Sequence, residues 1–145
     1  MKITILDLNP GEEEEIIVKC NEVNDDLQKL LNQLKQGNGK IAAYQNGDIF
    51  FLEPEQIYYF ESVDQKVFAY GKTNVYEVKS KLYELEEQLQ GREFMRASKS
   101  TILNLNKISR LTPAFSGRFE ALLQNGEKAI ISRQYVSVLK EHLGI

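Results

Sequence analysis

The chain has 145 residues, of which 42% are hydrophobic and 27% are charged, an ordinary balance for one globular domain with a small extension. No apolar run approaches the roughly 20 residues that a membrane-spanning helix needs. The N-terminus also lacks a signal-peptide pattern, so a cytoplasmic protein is expected. The net charge is -3, yet residues 91–145 carry 9 Lys and Arg against 4 Asp and Glu. This basic final third keeps nucleic acid open as a partner.

The first 45 residues are predicted to form an N-terminal extension of two short strands and a helix. The strands are expected at residues 3–6 and 16–18, on either side of the turn signal Asn9-Pro10-Gly11. Asn24 can cap the helix and Gly37 can end it. The extension is expected to serve oligomerisation or partner binding.

Four leucines give the predicted helix one apolar stripe. They follow the i, i+3, i+4, i+7 spacing of a single helical face: Leu27, Leu30, Leu31 and Leu34. Such a stripe is more often part of a core than a dimer seam, because a helix this short makes a weak stand-alone coiled coil. Both interpretations stay open from the sequence.

From residue 40 onward the pattern changes to short strands. Two Asn-Gly pairs, at 46–47 and 125–126, are strong hairpin signals because both residue types tolerate positive φ. Helices are predicted near 80–90 and from Ser132 to the C-terminus. Strands are predicted at residues 41–44, 49–52, 57–62, 67–70, 75–78, 93–96, 101–105, 108–113, 118–123 and 128–131. The sequence thus predicts a mainly β domain with short helices, an α+β fold, over residues 46–145.

Polar loops between these elements are the candidate binding sites, since functional side chains commonly lie on loops held by a rigid scaffold. Candidate loops lie at residues 63–66, 97–100 and 132–134. The second follows Arg96 and contains Ser98, Lys99 and Ser100. The third begins a helix, whose free N–H groups favour a phosphate. Cationic, amide and hydroxyl side chains suit phosphates and base edges of duplex DNA.

Five segments in order resemble the LytTR family of bacterial DNA-binding domains. They are Ile57–Ser62, Leu82–Glu86, Phe94–Ile108, Leu123–Glu127 and Ile131–Tyr135. The resemblance covers about residues 46–145. It implies small antiparallel sheets with short helices, and loops that enter successive grooves of DNA.

The same resemblance implies which residues contact DNA and which partners the protein has. The implied contact residues are Gln65, Lys66, Val67, Ser98, Lys99, Ser100, Ser132, Arg133 and Gln134. Arg96 is added as a candidate contact because it belongs to the same basic, hydroxyl-rich cluster as Lys99. Gln134 stands where the family often has a second arginine, and a glutamine can hydrogen-bond adenine. The N-terminal 45 residues are too few for a receiver domain, which takes about 120. The resemblance implies double-stranded DNA as a partner and, as for some stand-alone members of the family, a small restraining membrane protein. A second copy of the chain is expected as a partner of the extension.

Catalysis, cofactors and metals find little support in the sequence. Cys20 and His142 are the single cysteine and histidine, and no nucleotide-binding or metal-ligand spacing occurs. Cys20 is expected to be a small buried apolar residue, and His142 a solvent-facing helix residue. No small-molecule substrate is expected. The alternative to a DNA-binding regulator is a protein-interaction module that keeps the fold without specific DNA binding.

Overall fold

The computed structural model describes residues 2–35 and 39–145. The chain divides into two compact units, residues 1–35 and 36–145, and each is described by itself. No helix in the described ranges is long and apolar enough to cross a membrane.

In the first unit, residues 2–35 contain one helix, α1 (Asp25–Lys35). Its predicted cap is confirmed, because the side-chain oxygen of Asn24 accepts a hydrogen bond from the Leu27 backbone N–H at 2.8 Å. Leu27 is buried, whereas Leu30 keeps 37% of its side chain exposed. The predicted stripe is therefore not uniformly buried. The side chain of Leu34 and the predicted helix end at Gly37 lie outside the described residues.

The two strands predicted in the extension are wrong. Residues 2–23 contain a turn at Pro10–Gly11 but no strand. An isolated two-stranded hairpin is marginally stable at best, and the like charges of residues 12–15 precede the second segment. Cys20 was also predicted incorrectly, since it is exposed.

Within the second unit, residues 39–145 contain ten strands and two α-helices. Helix α2 spans Leu82–Gln88 and helix α3 spans Arg133–Leu143. The strands are β1 (Ile41–Gln45), β2 (Asp48–Leu52), β3 (Tyr59–Val63), β4 (Lys66–Tyr70), β5 (Val75–Val78), β6 (Phe94–Ser98), β7 (Thr101–Asn104), β8 (Ile108–Pro113), β9 (Phe119–Leu123) and β10 (Lys128–Ile131). The predicted α+β class is confirmed.

The strands form two antiparallel sheets. The larger sheet has the order β2-β1-β5-β4-β3-β7-β6, and the smaller has the order β10-β9-β8. Strand β1 pairs with β2 along its whole length and also with β5. Residues 41–45, which the sequence assigned to the extension, therefore belong to the larger sheet. The Asn46-Gly47 turn joins the two strands of that hairpin, so a boundary at residue 45 would divide one cooperative unit.

Apolar side chains on the strands pack into two hydrophobic cores. One core lies between the larger sheet and α2, where Leu82, Leu85 and Leu89 pack with Phe60 and Ile102. The other includes Leu103 and residues of the smaller sheet and of α3, among them Ile131 and Leu139. Strand β7 serves both, because successive side chains point to opposite faces of a strand. Consecutive residues of β7 are therefore buried, instead of every second one.

Two stacked tyrosines on β3 and β4 help join the sheets. The rings of Tyr59 and Tyr70 lie 4.3 Å apart between centroids. Burial raises the pKa of Tyr59, and a hydrogen bond with Glu127 raises it further. The Tyr59 phenol therefore keeps its proton and can donate to a carboxylate from the β9–β10 turn.

Asn104 at the end of β7 is the buried polar residue of the described core. Its side-chain N–H donates to the Ile57 carbonyl at 2.8 Å, and its side-chain oxygen accepts from the Asn106 backbone N–H at 3.1 Å. One amide thus satisfies two backbone groups that flank different strands.

We expect Asn104→Ala to lower the free energy of unfolding by about 1–3 kcal/mol, because it removes the side-chain hydrogen bond to the buried Ile57 carbonyl. Urea denaturation measures this change. The matched control is Asn106→Ala, which removes an exposed amide and keeps the backbone N–H. Equal stability of the two variants would contradict the structural role of Asn104.

Candidate nucleic-acid interface

Two of the three predicted loops lie at one end of the larger sheet. Strand β3 lies between β4 and β7 and is antiparallel to both. The β3–β4 turn and the β6–β7 turn therefore meet at the same end. The Ser62 backbone N–H donates to the Ser100 carbonyl at 2.8 Å and joins them.

The third loop is held beside the second by a β-bulge. Arg96 pairs with Ile102 and Ser98 with Thr101, so Ala97 is the extra residue in β6. The Ala97 carbonyl accepts a hydrogen bond from the Ser132 backbone N–H at 2.7 Å. Bulges redirect backbone groups in this way next to functional sites. The start of α3 thus joins the same end of the domain.

The β3–β4 turn has a strained backbone. Its central residues, Asp64 and Gln65, have φ values of 50° and 66°, as a type I′ turn requires. Gln65 and Lys66 are exposed. Val67, by contrast, is buried in the core beneath α2, so its side chain is not available for the predicted DNA contact. Successive side chains of a strand point to opposite faces, so Val67 faces the core whereas the preceding Lys66 faces solvent.

The β6–β7 turn presents Lys99 to solvent. Ser98 and Ser100 shape the turn, since the Ser98 hydroxyl accepts from the Ser100 backbone N–H at 3.3 Å. The two hydroxyl oxygens lie 3.5 Å apart. Lys99 and Ser100 are exposed, and Ser98 is half-buried.

Arg96 lies inside this arrangement and not at its surface. Its Nε donates to the Glu86 carboxylate of α2 at 2.6 Å, and another guanidinium N–H donates to the Lys99 carbonyl at 2.6 Å. Its side chain is 20% exposed. Arg96 therefore holds the β6–β7 turn against α2. The sequence did not predict this role of Glu86. Nothing in the residues around a glutamate on the outer face of a helix shows that it pairs with a distant arginine.

Arg133 and Gln134 are exposed at the first turn of α3. Ser132 precedes them in an extended conformation, and its side chain makes no capping hydrogen bond. Its carbonyl accepts from the Tyr135 backbone N–H at 2.9 Å. The first turn of α3 therefore offers N–H groups and an arginine on one surface.

A fourth loop, residues 114–118, lies beside the third and was not identified from the sequence. It connects β8 to β9, and Ile131 pairs with Phe119 at the same end. A Cβ atom on Gly117 would lie 2.9 Å from Cδ of Arg133, so the arginine stem packs on this loop. Its one cationic residue is Arg118, at its border. The loop therefore lacks the cluster of basic residues by which a DNA-binding loop can be identified from the sequence.

The exposed cations at this end favour an anionic partner. Lys66, Lys99 and Arg133 are exposed on three adjacent loops. Among residues 2–35 and 39–145, no group of three or more His, Cys, Asp or Glu is placed to hold a metal ion.

The single histidine, His142, lies near the end of α3. Its ring nitrogen is 3.1 Å from a Glu93 carboxylate oxygen.

Comparison with known proteins identifies the domain. The family profile of the LytTr DNA-binding domain matches residues 47–144. The chain belongs to this family. The match includes all ten predicted contact residues and both sheets from β2 onward.

Individual relatives agree with the family. The sensory transduction protein LytT of Enterococcus faecalis is 29% identical over 142 residues. The match covers 95% of this chain and 59% of that protein. An HTH-type transcriptional regulator of Staphylococcus aureus is 28% identical over 148 residues, which cover 100% of this chain and 99% of the relative. A Bacillus cereus chain described as a LytTr DNA-binding domain superposes with a TM-score of 0.71 at 25% identity, covering 75% of this chain and all of its own.

The helix-turn-helix in the staphylococcal name has no counterpart in the described part of this chain. Strands β1 to β5 separate α1 from α2, and strands β6 to β10 separate α2 from α3. A helix-turn-helix needs two helices joined by a short turn.

We expect Arg96→Ala to loosen the β6–β7 turn, because it removes the bonds to both Glu86 and the Lys99 carbonyl. The free energy of unfolding should fall by about 1.5–3 kcal/mol, the range for hydrogen bonds to charged groups. Amide hydrogen exchange at residues 98–100 should become faster.

The matched control is Lys128→Ala, which breaks an exposed ion pair with Glu120. Exposed pairs contribute about 0–1 kcal/mol, so this control should stay close to the unmodified protein. Unchanged exchange at residues 98–100 in Arg96→Ala would show that the arginine does not hold the turn.

Proposed function

We propose that this protein is a transcriptional regulator that reads duplex DNA through three adjacent loops of its LytTR domain. These loops form what we call the three-loop surface: the β3–β4 turn (residues 63–66), the β6–β7 turn (residues 98–100) and the start of α3 (residues 132–134). The observation that carries the proposal is their connection by two backbone hydrogen bonds, Ser62 to Ser100 and Ser132 to Ala97. Loops tied in this way can contact one ligand without ordering themselves first.

The side chains of these loops suit different parts of the duplex. Lys66 and Lys99 have the reach and charge for phosphates or guanine edges, and Arg133 can contact either. Gln65 and Gln134 carry amides that can pair with adenine. Ser98, Ser100 and Ser132 have hydroxyls suited to phosphate oxygens. Arg96 acts through the position it gives to Lys99.

The direct test is selection of bound duplexes from a random pool, followed by affinity measurements at several salt concentrations. A DNA-binding regulator should enrich one sequence, and its log affinity should fall with log salt at a slope of about -0.9 for each phosphate neutralised. No enrichment together with a flat salt dependence would favour the protein-interaction alternative and defeat the proposal.

Lys99 should be the most sensitive single position. We expect Lys99→Ala to weaken binding to the selected duplex by about 1–3 kcal/mol, the range of one good base contact. The melting temperature should hardly change, because the side chain is exposed.

Lys72→Ala provides the control for charge alone. Lys72 is also exposed, but it lies in the β4–β5 turn at the opposite end of the sheet. Equal losses of affinity in the two variants would mean that net charge, and not the three-loop surface, determines binding.

We also propose that the N-terminal extension contacts a second copy of the chain. Its aliphatic side chains are exposed over residues 2–23, with Ile5 at 91%, Leu6 at 82% and Ile16 at 73%. Apolar surface of this kind marks association sites in soluble proteins. The restraining membrane protein implied by the resemblance stays a prediction.

If copies associate through the extension, Ile16→Glu should shift sedimentation toward a monomer at unchanged melting temperature, because a buried carboxylate opposes association. Val75→Glu, at a 45% exposed site on β5, is the control. A monomeric unmodified protein, or an unshifted Ile16→Glu variant, would remove the extension from any role in dimerisation.

A further inference from the structure

Phe115 is the most exposed large hydrophobic side chain that the structure describes in residues 39–145. It is 91% exposed, whereas Phe51 on β2 is 67% exposed and Tyr83 on α2 is 59% exposed. It lies in the 114–118 loop, which neither the sequence-based site nor the three-loop surface includes. A phenyl ring held in water is unfavourable, so its position calls for an explanation.

The loop that carries Phe115 is short, closed and strained. The Ala114 backbone N–H donates to the Arg118 carbonyl at 2.8 Å. Ser116 has φ 61° and ψ 35°, a left-handed conformation that is rare for a residue with a side chain. Gly117 follows with φ 75°. Backbone strain of this kind clusters at functional sites, where the surrounding structure maintains it.

The loop is fixed to the three-loop surface by a close approach. The Arg133 stem lies against Gly117, where an added Cβ would come within 2.9 Å of Cδ and 3.0 Å of Cγ. Phe119 pairs with Ile131, one residue before Ser132. Phe115 is thus presented at the end of the domain that carries Lys99 and Arg133.

We propose that Phe115 is a further DNA contact, which enters the minor groove and packs its ring against deoxyribose and base edges. This inference rests on the proposed function. The ring is flanked by the small residues Ala114, Ser116 and Gly117, so the projecting loop is slim. The minor groove is only about 6 Å wide, and apolar side chains including Phe are inserted there as wedges.

An apolar contact at this position complements the cationic loops. Arg118 is exposed at the border of the same loop and can hold a phosphate beside the ring. The phenyl ring itself forms no hydrogen bonds with bases. Its contribution therefore comes from packing and from the shape of the groove, and it is insensitive to salt.

The test compares Phe115→Ala with Phe115→Trp and with Phe51→Ala on the full chain and the selected duplex. Phe51→Ala removes a second exposed phenyl ring from β2, at the lateral edge of the larger sheet farthest from β6. Affinity at several salt concentrations is measured for each variant. Hydroxyl-radical footprinting, which attacks deoxyribose, then locates the sugars that each variant protects.

The proposal expects Phe115→Ala to bind about tenfold more weakly with an unchanged salt slope, the size of one lost aromatic contact. Protection should disappear at one short stretch of sugars, and Phe115→Trp should restore it. Phe51→Ala should stay within about twofold of the unmodified protein.

Three results would overturn the inference. The first is Phe115→Ala binding within about twofold of the unmodified protein. The second is a loss no greater than that of Phe51→Ala. The third is a loss with a salt slope reduced by about one unit, which would mean that the change acted through displacement of Arg133. Failure of the unmodified protein to bind duplex DNA is a distinct result, which defeats the proposed function and this inference together.

Discussion

Two backbone hydrogen bonds determine the arrangement of the candidate interface. One joins Ser62 to Ser100 and the other joins Ser132 to Ala97. Each connects loops that are far apart in the sequence. Both bonds join backbone atoms, so neither depends on the identity of a side chain. The bulge at Ala97 frees the carbonyl for the second bond. Strand β7, buried on both faces, keeps the two bonds in register because it packs into both cores.

The two ends of the domain differ in how their turns are joined. At one end, two backbone hydrogen bonds and the bulge at Ala97 join loops that expose Lys99 and Arg133. The other end contains turns that contact each other, as where the Asn125 side chain approaches the Lys72 carbonyl at 3.5 Å. Strain at the first end is tolerated because the hydrophobic cores and Asn104 supply stability elsewhere. The result is a rigid scaffold with a polar rim.

Much of the fold could be predicted from the sequence, because the strands are short, the turns carry Asn-Gly signals and the pattern matches a known family. All ten strands of the second unit overlap predicted ones. The two strands of the extension were wrong, because local β preference says nothing about whether a partner strand exists. Arg96 and Val67 show the second limit. Sequence reveals residue type, whereas the pairing of Arg96 with Glu86 and the burial of Val67 depend on tertiary contacts.

The most direct test of the three-loop surface is amide hydrogen exchange of the full chain with and without the selected duplex. A single interface should give simultaneous protection at residues 63–66, 98–100 and 132–134. Exchange in the opposite turns, at residues 46–47, 71–74 and 124–127, should not change. Protection confined to one of the three loops, or centred on the opposite turns, would contradict a single interface built by the two backbone hydrogen bonds.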